Sequence, residues 1–195
     1  MSGLAQAKVA EDLLILVDEA DHEIGTLPKT ECHLGAGILH RAFSVFLFDA
    51  AGKVLIQQRA AGKMLWAGFW SNSCCSHPRP GETTEEAARR RVREELQLEC
   101  RLSFLYKFRY QAAFGTIGSE HELCYVYAGY ASGQTSTDPL EIAAIRWVTP
   151  AELSHQIVTD PERFSPWMKL EWQEITEKHL DRILDDCRKR ATWQT

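Results

Sequence analysis

Thr83-Thr84-Glu85-Glu86 has the form of a capping box, in which a threonine and the glutamate three residues on satisfy each other's backbone N–H groups. It opens the one strongly helical stretch in the middle of the chain. Over residues 85–97, good helix formers carry Ala88, Val92 and Leu96 at steps of four, which lays an apolar stripe along one side. The sequence on both sides of this helix is strand-like. Residues 13–18 and 24–27 flank a turn-like 19–23, and 43–49 and 53–59 flank Ala50-Ala51-Gly52, which predicts two antiparallel hairpins. Residues 69–73, 104–110, 120–130 and 143–148 read as further strands. Thr149-Pro150-Ala151-Glu152 opens a helix with proline at its first position, and Ser165-Pro166 starts another, expected to run unbroken over 166–190. Strands around a lone central helix, with two helices after them, call for a mixed sheet covered by helices on both faces. The fold class is α/β (α+β).

No repeat, low-complexity tract or Pro/Gly/Ser linker interrupts the 195 residues, so 1–195 reads as a single domain with its first ~10 residues disordered. A formal charge of −5 argues against nucleic acid as a partner, because that affinity comes from clustered Lys and Arg. The N-terminus has no charged segment followed by an apolar run, and the apolar stretch 13–17 is too short to span a bilayer. The expectation is a cytoplasmic protein without a membrane segment, acting as a monomer. Six cysteines stand without CxxC pairs or regular spacing, which predicts free thiols, most of them small buried hydrophobes. Cys74 and Cys75 are adjacent, so in a strand they face opposite sides.

From Ser76 to Leu98 the spacing resembles the Nudix box, with Glu82, Arg90, Val92, Glu94, Glu95 and Leu98 on its pattern. Ser76 and Gln97 stand where that box has glycine, and Arg91 stands where it has a glutamate. Nudix hydrolases use the box glutamates to hold Mg²⁺ ions that activate water against a diphosphate. Arg91 inverts one of those charges. Because Arg91 and Glu95 are one helical turn apart, the arginine can grip a phosphate oxygen while Glu95 holds a Mg²⁺ beside it. That arrangement suits binding a diphosphate better than hydrolysing it.

A second constellation lies outside the helix. His33 and His40 flank a glycine-containing segment, His77 follows Cys75 by two, and Glu120-His121-Glu122 opens a strand. In extended chain, residues two apart share a face, so Glu120 and Glu122 can converge, as can Cys75 and His77. Three imidazoles with two carboxylates would form a mixed N/O site suited to Mg²⁺, Mn²⁺ or Zn²⁺.

Taken together, Trp70-Ser71-Asn72-Ser73-Cys74-Cys75-Ser76-His77-Pro78, the altered box, Tyr110, Glu120-His121-Glu122, the His33–His40 spacing and Ser165-Pro166-Trp167-Met168 resemble the type 1 isopentenyl diphosphate isomerases. The resemblance runs from about residue 14 to 168. It implies a Nudix-like α/β/α sandwich with a mixed sheet, and migration of a double bond between isopentenyl and dimethylallyl diphosphate in isoprenoid biosynthesis. By resemblance, His33, His40, His77, Glu120 and Glu122 are ligands of a divalent ion (Mn²⁺, Mg²⁺ or Zn²⁺), and Glu95 holds Mg²⁺ on the diphosphate. Cys75 and Glu122 are the catalytic pair, with Tyr110 beside Glu122. Lys29, Arg59, Lys63 and Arg91 match basic anion-binding positions, and Trp167 could set its π-face against a transient cation.

In that reaction metal-bound Glu122 supplies one proton and Cys75 accepts another, with the reverse assignment open. Metal and histidines near the thiol are expected to lower its pKa. Two rivals remain: a Nudix diphosphohydrolase, which Arg91 disfavours and which has no use for Cys75, and a catalytically silent diphosphate-binding scaffold.

Overall fold

The computed structural model describes residues 13–131 and 135–191; the N-terminal stretch expected to be disordered lies outside them. Strand β3 (His40–Phe48) organises the rest. Every residue in it but Arg41 is buried, and alternate side chains enter different cores. Ala42, Phe46 and Phe48 join Trp167, Met168, Trp172 and Ile175, while Phe43, Val45 and Leu47 join Ala88, Val92 and Leu96. A strand apolar on both faces has to be covered on both. The expected sandwich follows, with the mid-chain helix on one face and the C-terminal helices on the other.

Among the described residues nine strands form a mixed sheet. One edge of β3 runs parallel to β8 (Gly118–Tyr130), from His40↔Glu122 to Phe48↔Tyr130, and β8 pairs antiparallel with β7 (Leu102–Phe114). The other edge meets β1 (Leu13–Val17) at Leu16↔His40 and β6 (Cys74–Ser76) at residues 43–45. β1 and β2 (Glu23–Pro28) make the first expected hairpin.

The second expected hairpin is only a corner. β4 (Val54–Arg59) pairs with β3 at Phe48↔Val54 alone and otherwise with β9 (Ile142–Val148) and β5 (Trp70–Ser71). Ser73 fills the resulting gap: its Oγ accepts from the Leu47 N–H at 2.8 Å and donates to the Leu55 carbonyl at 2.6 Å. The strand expected over 69–73 is accordingly only the two-residue β5, and β6 follows it with a different neighbour after the buried Asn72 and Ser73.

Helix α1 (Lys29–Cys32) is one short turn after β2. Helix α2 (Thr84–Leu96) starts on the expected capping box, Thr83 being its N-cap and Glu86 its reciprocal partner. It ends at Gln97 in the left-handed region, φ +54°, the conformation in which glycine is free of strain. Helix α3 (Pro150–Thr159) also begins on a capping box, between Thr149 and Glu152.

The expected unbroken helix over 166–190 is two helices, α4 (Pro166–Lys178) and α5 (Leu180–Ala191), separated by His179 at φ −125°. The His179 ring stacks on Tyr106 at 5.4 Å. Eight residues of straight α-helix would leave Ile183 about 80° around from Ile175. The break returns both to one core.

Candidate active site

The strand registers bring the five proposed ligands together. Glu120 and Glu122 share a face of β8, and the parallel pairing His40↔Glu122 sets the β3 histidine beside them. His77 directly follows β6, and His33 caps α1. Ligand atoms of all five lie within 4.8 Å of one another.

The Lys29 carbonyl accepts from His33 Nδ1 at 2.6 Å and the Ile38 carbonyl from His40 Nδ1 at 2.7 Å, so both rings turn Nε2 inward. There His40 Nε2 lies 3.2 Å from His77 Nε2. Buried Glu120 Oε2 lies 2.7 Å from His33 Nε2 and has no other hydrogen-bond partner among the described residues; burial lowers the His33 imidazole, but this carboxylate outweighs it and holds it above the usual histidine range. Three inward imidazole nitrogens and two carboxylates in one buried pocket fit a divalent cation. The inward carbonyl-anchored imidazoles and paired carboxylates are the donor set such an ion takes. Burial, with Lys29 and His40 nearby, holds His77 well below the usual histidine range, in its ligating form.

Tyr110 stands opposite Glu122 across β7 and β8, and its hydroxyl donates to Glu122 Oε2 at 2.7 Å. Glu122 Oε1 turns the other way, 3.2 Å from His77 Nε2. Burial raises the Glu122 carboxyl, but His40 and Tyr110 outweigh it and leave it below the usual carboxylate range.

Cys75 lies on β6 opposite Ser44, partly exposed, while Cys74 is wholly buried in the α2 core, as strand parity predicts. Burial pushes the Cys75 thiol up to about 12, against a downward pull from Arg59, whose Nη1 is 3.8 Å from the sulfur. Arg59, not the histidines, is therefore the main side chain lowering it.

Cys75, Glu122 and Tyr110 line one cavity of about 390 Å³ together with Lys29, Arg59, Lys63, Arg91 and Trp167. Arg59 is anchored to the Leu65 carbonyl at 2.9 Å and lies 5.1 Å over the Trp167 ring. Glu95 is not on the cavity wall: it is 2% exposed, behind Arg91, which bonds it at 2.6 and 3.0 Å.

The polar residues before Cys75 lock it to α4. Trp167 Nε1 donates to Asn72 Oδ1 at 3.1 Å, Asn72 Nδ2 donates to the Cys74 carbonyl at 2.8 Å, and the hydroxyls of Ser71 and Ser165 are 3.0 Å apart.

Sequence reasoning passed over two carboxylates. Glu141, just before β9, lines the cavity and binds both Lys63 and Arg91. Nothing in its local pattern marks it. Glu171 is fully buried on α4, its carboxyl pushed up to about 8 by burial. A signal existed for this one, since it falls on the apolar stripe Met168–Trp172–Ile175.

The NUDIX domain family matches residues 38–168. Isopentenyl-diphosphate Delta-isomerase 1 of Photorhabdus laumondii is 40% identical over 172 residues, covering 87% of this chain and 98% of that one. Isopentenyl-diphosphate Delta-isomerase of Nocardia farcinica is 46% identical over 154 residues, covering 78% and 88%. Among solved structures, DR0079 from Deinococcus radiodurans superposes with a TM-score of 0.63 at 27% identity, over 76% of this chain and 90% of that one. The MutT protein from Methanosarcina mazei, at 16% identity and a TM-score of 0.58 over 74% and 94%, shares the fold.

Proposed function

The chain belongs to the NUDIX domain family and, within it, to the isopentenyl-diphosphate Delta-isomerases, and on that premise we propose that Cys75 and Glu122 move its protons. The reaction interconverts isopentenyl and dimethylallyl diphosphate. The observation that carries the assignment is the meeting in one cavity of a thiol, a Tyr110-bonded carboxylate and four cations.

Moving the double bond needs a proton delivered to the terminal alkene carbon and another removed two carbons away, through a tertiary carbocation. Lys29, Arg59, Lys63 and Arg91 bind the diphosphate as a handle and place the five-carbon tail against Cys75 and Glu122. The two groups share one proton between them: with it on Glu122 and a thiolate at Cys75, Glu122 donates and Cys75 accepts, and with it on the Cys75 thiol the roles reverse.

Tyr110 orients Glu122 through its Oε2. Trp167 and Leu65, both nearly buried, keep water from the carbocation. The Trp167 face is shared with Arg59, so its chief part is to shape the wall.

His33, His40, His77, Glu120 and Glu122 would hold a divalent ion, Mn²⁺, Mg²⁺ or Zn²⁺, whereas Glu95 would hold a Mg²⁺ on the diphosphate only if Arg91 released its carboxylate. Such ions would supply charge that raises the acidity of the carboxyl and neutralises phosphate oxygens. The same reading takes 1–195 as one catalytic unit, a cytoplasmic monomer acting on a small molecule and not on nucleic acid. The charge of −5 supports the last point, and no described helix is long and apolar enough to cross a membrane.

Phosphorus and proton NMR of the purified protein with Mg²⁺ and isopentenyl diphosphate tests the reading. Dimethylallyl diphosphate should appear without phosphate release; phosphate release alone would make the protein a hydrolase.

A further inference from the structure

Three carboxylates surround the Arg91 guanidinium. Glu95 takes Nε and Nη2 at 3.0 and 2.6 Å, Glu94 takes Nη1 at 2.9 Å, and Glu141 Oε1 lies 3.0 Å from Nη2. These contacts take four of the five guanidinium N–H groups, so a phosphate grips this arginine with two oxygens only if one of the carboxylates leaves. Glu95 is buried on the same helix, one turn away, and Glu94 is half-exposed outside the cavity. Of the three, Glu141 alone lines the cavity. Its second oxygen holds Lys63.

The Glu141 backbone is fixed: its carbonyl accepts from the Ala60 N–H at 3.0 Å, its N–H donates to the Asp138 carbonyl at 3.1 Å, and the Asp138 N–H donates to the Glu95 carbonyl at 3.0 Å. Only its side chain is left to swing.

We propose that Glu141 is an internal anion that bridges Lys63 and Arg91 between turnovers and that the incoming diphosphate displaces. This rests on the reading above that these two cations receive the diphosphate. The carboxylate keeps two half-buried cations paired and in place, beside Lys29 and Arg59 on the same wall. It also sets a threshold. Weakly charged anions such as inorganic phosphate fail to displace it, whereas a diphosphate offers enough oxygens to replace both of its ion pairs. Displacement costs affinity for every anion using the two cations, and it aids product release.

Calorimetric titration of inorganic pyrophosphate and of inorganic phosphate into the full-length protein, with chelator present, tests this. Glu141→Gln should bind both at least tenfold more tightly than wild type, and its KM for isopentenyl diphosphate should fall together with kcat as product leaves more slowly. Equal or weaker binding in the variant would overturn the proposal, since a permanent structural ion pair predicts a loss. Thermal melting checks the fold. Should Glu141→Gln not fold, Glu141→Asp decides: it keeps the charge but is too short to span both cations, so tighter binding supports displacement and unchanged or weaker binding sinks it. A wild type that isomerises its substrate while the variant gains no affinity leaves the isomerase reading standing without this proposal. A wild type that binds no pyrophosphate takes both the cation assignment and the proposal with it.

Discussion

Glu171 offers a quantitative test of the core behind the site. It is 0% exposed, its Oε1 accepts from Cys124 Sγ at 3.6 Å, Ser44 also bonds the carboxyl, and the Glu122 charge acts on it. Burial is the main cause that lifts its carboxyl from an ordinary value of 4.5 to about 8. Between those values the folded protein holds a proton that the unfolded chain has released. Stability then falls as pH rises, by about 1.4 kcal/mol per unit. Below the lower value both states are protonated and there is no penalty; above the upper one the penalty is complete.

At pH 7 the interval is about 2.5 units, which gives a penalty on the order of 3 kcal/mol. Glutamine has the same shape and never ionises. Glu171→Gln should accordingly be more stable than wild type by that amount at pH 7, with the gain vanishing below about pH 4.5 and levelling above about pH 8. Urea denaturation across pH 4–9 reads it, with chelator present so that no bound cation offsets the Glu122 charge. A stability difference that stays flat between pH 5 and 8 would mean that burial does not hold a proton on Glu171.

Glu120→Gln removes one of the two carboxylates facing the inward imidazoles; elemental analysis after dialysis against a divalent metal should show stoichiometric ion in wild type and a marked loss in the variant. Ser73→Ala leaves the Leu47 N–H and the Leu55 carbonyl unpaired in the core. At about 1–3 kcal/mol for a buried unsatisfied group, it should lower the urea midpoint visibly, and an unchanged midpoint would mean that the β3–β4 gap closes without it. Arg91→Glu restores the carboxylate of the ordinary Nudix box, yet it should weaken pyrophosphate binding at least tenfold in a calorimetric titration.

Much of this site was legible because strand parity and helical spacing are local rules. Cys74 in the core against Cys75 on the cavity, Glu120 with Glu122, and the capping boxes at Thr83 and Thr149 all follow from a period of two or from a three-residue offset. The departures share a cause, competition between distant segments. β4 leaves β3 because β1 and β6 claim that edge, and the C-terminal helix breaks at His179 to keep Ile183 in the core. Glu95 lies on the expected face of α2, but Arg91 and burial keep it off the cavity wall. Glu141 reaches the cavity only through the pairing of β9 with β4, which no local pattern announces. A metal and histidines are expected to lower the Cys75 thiol; among the side chains Arg59 lowers it most, and desolvation within the folded site is larger than any side-chain charge acting on it.

The proposed exchange of protons between the carbon skeleton and Cys75 and Glu122 can be read by proton and deuterium NMR of isopentenyl diphosphate incubated in D₂O with wild type, Cys75→Ala and Glu122→Gln. Wild type should place deuterium in a methyl group of dimethylallyl diphosphate, and neither variant should turn over while both still bind pyrophosphate. Deuterated product at near-normal rate from Cys75→Ala would contradict the account.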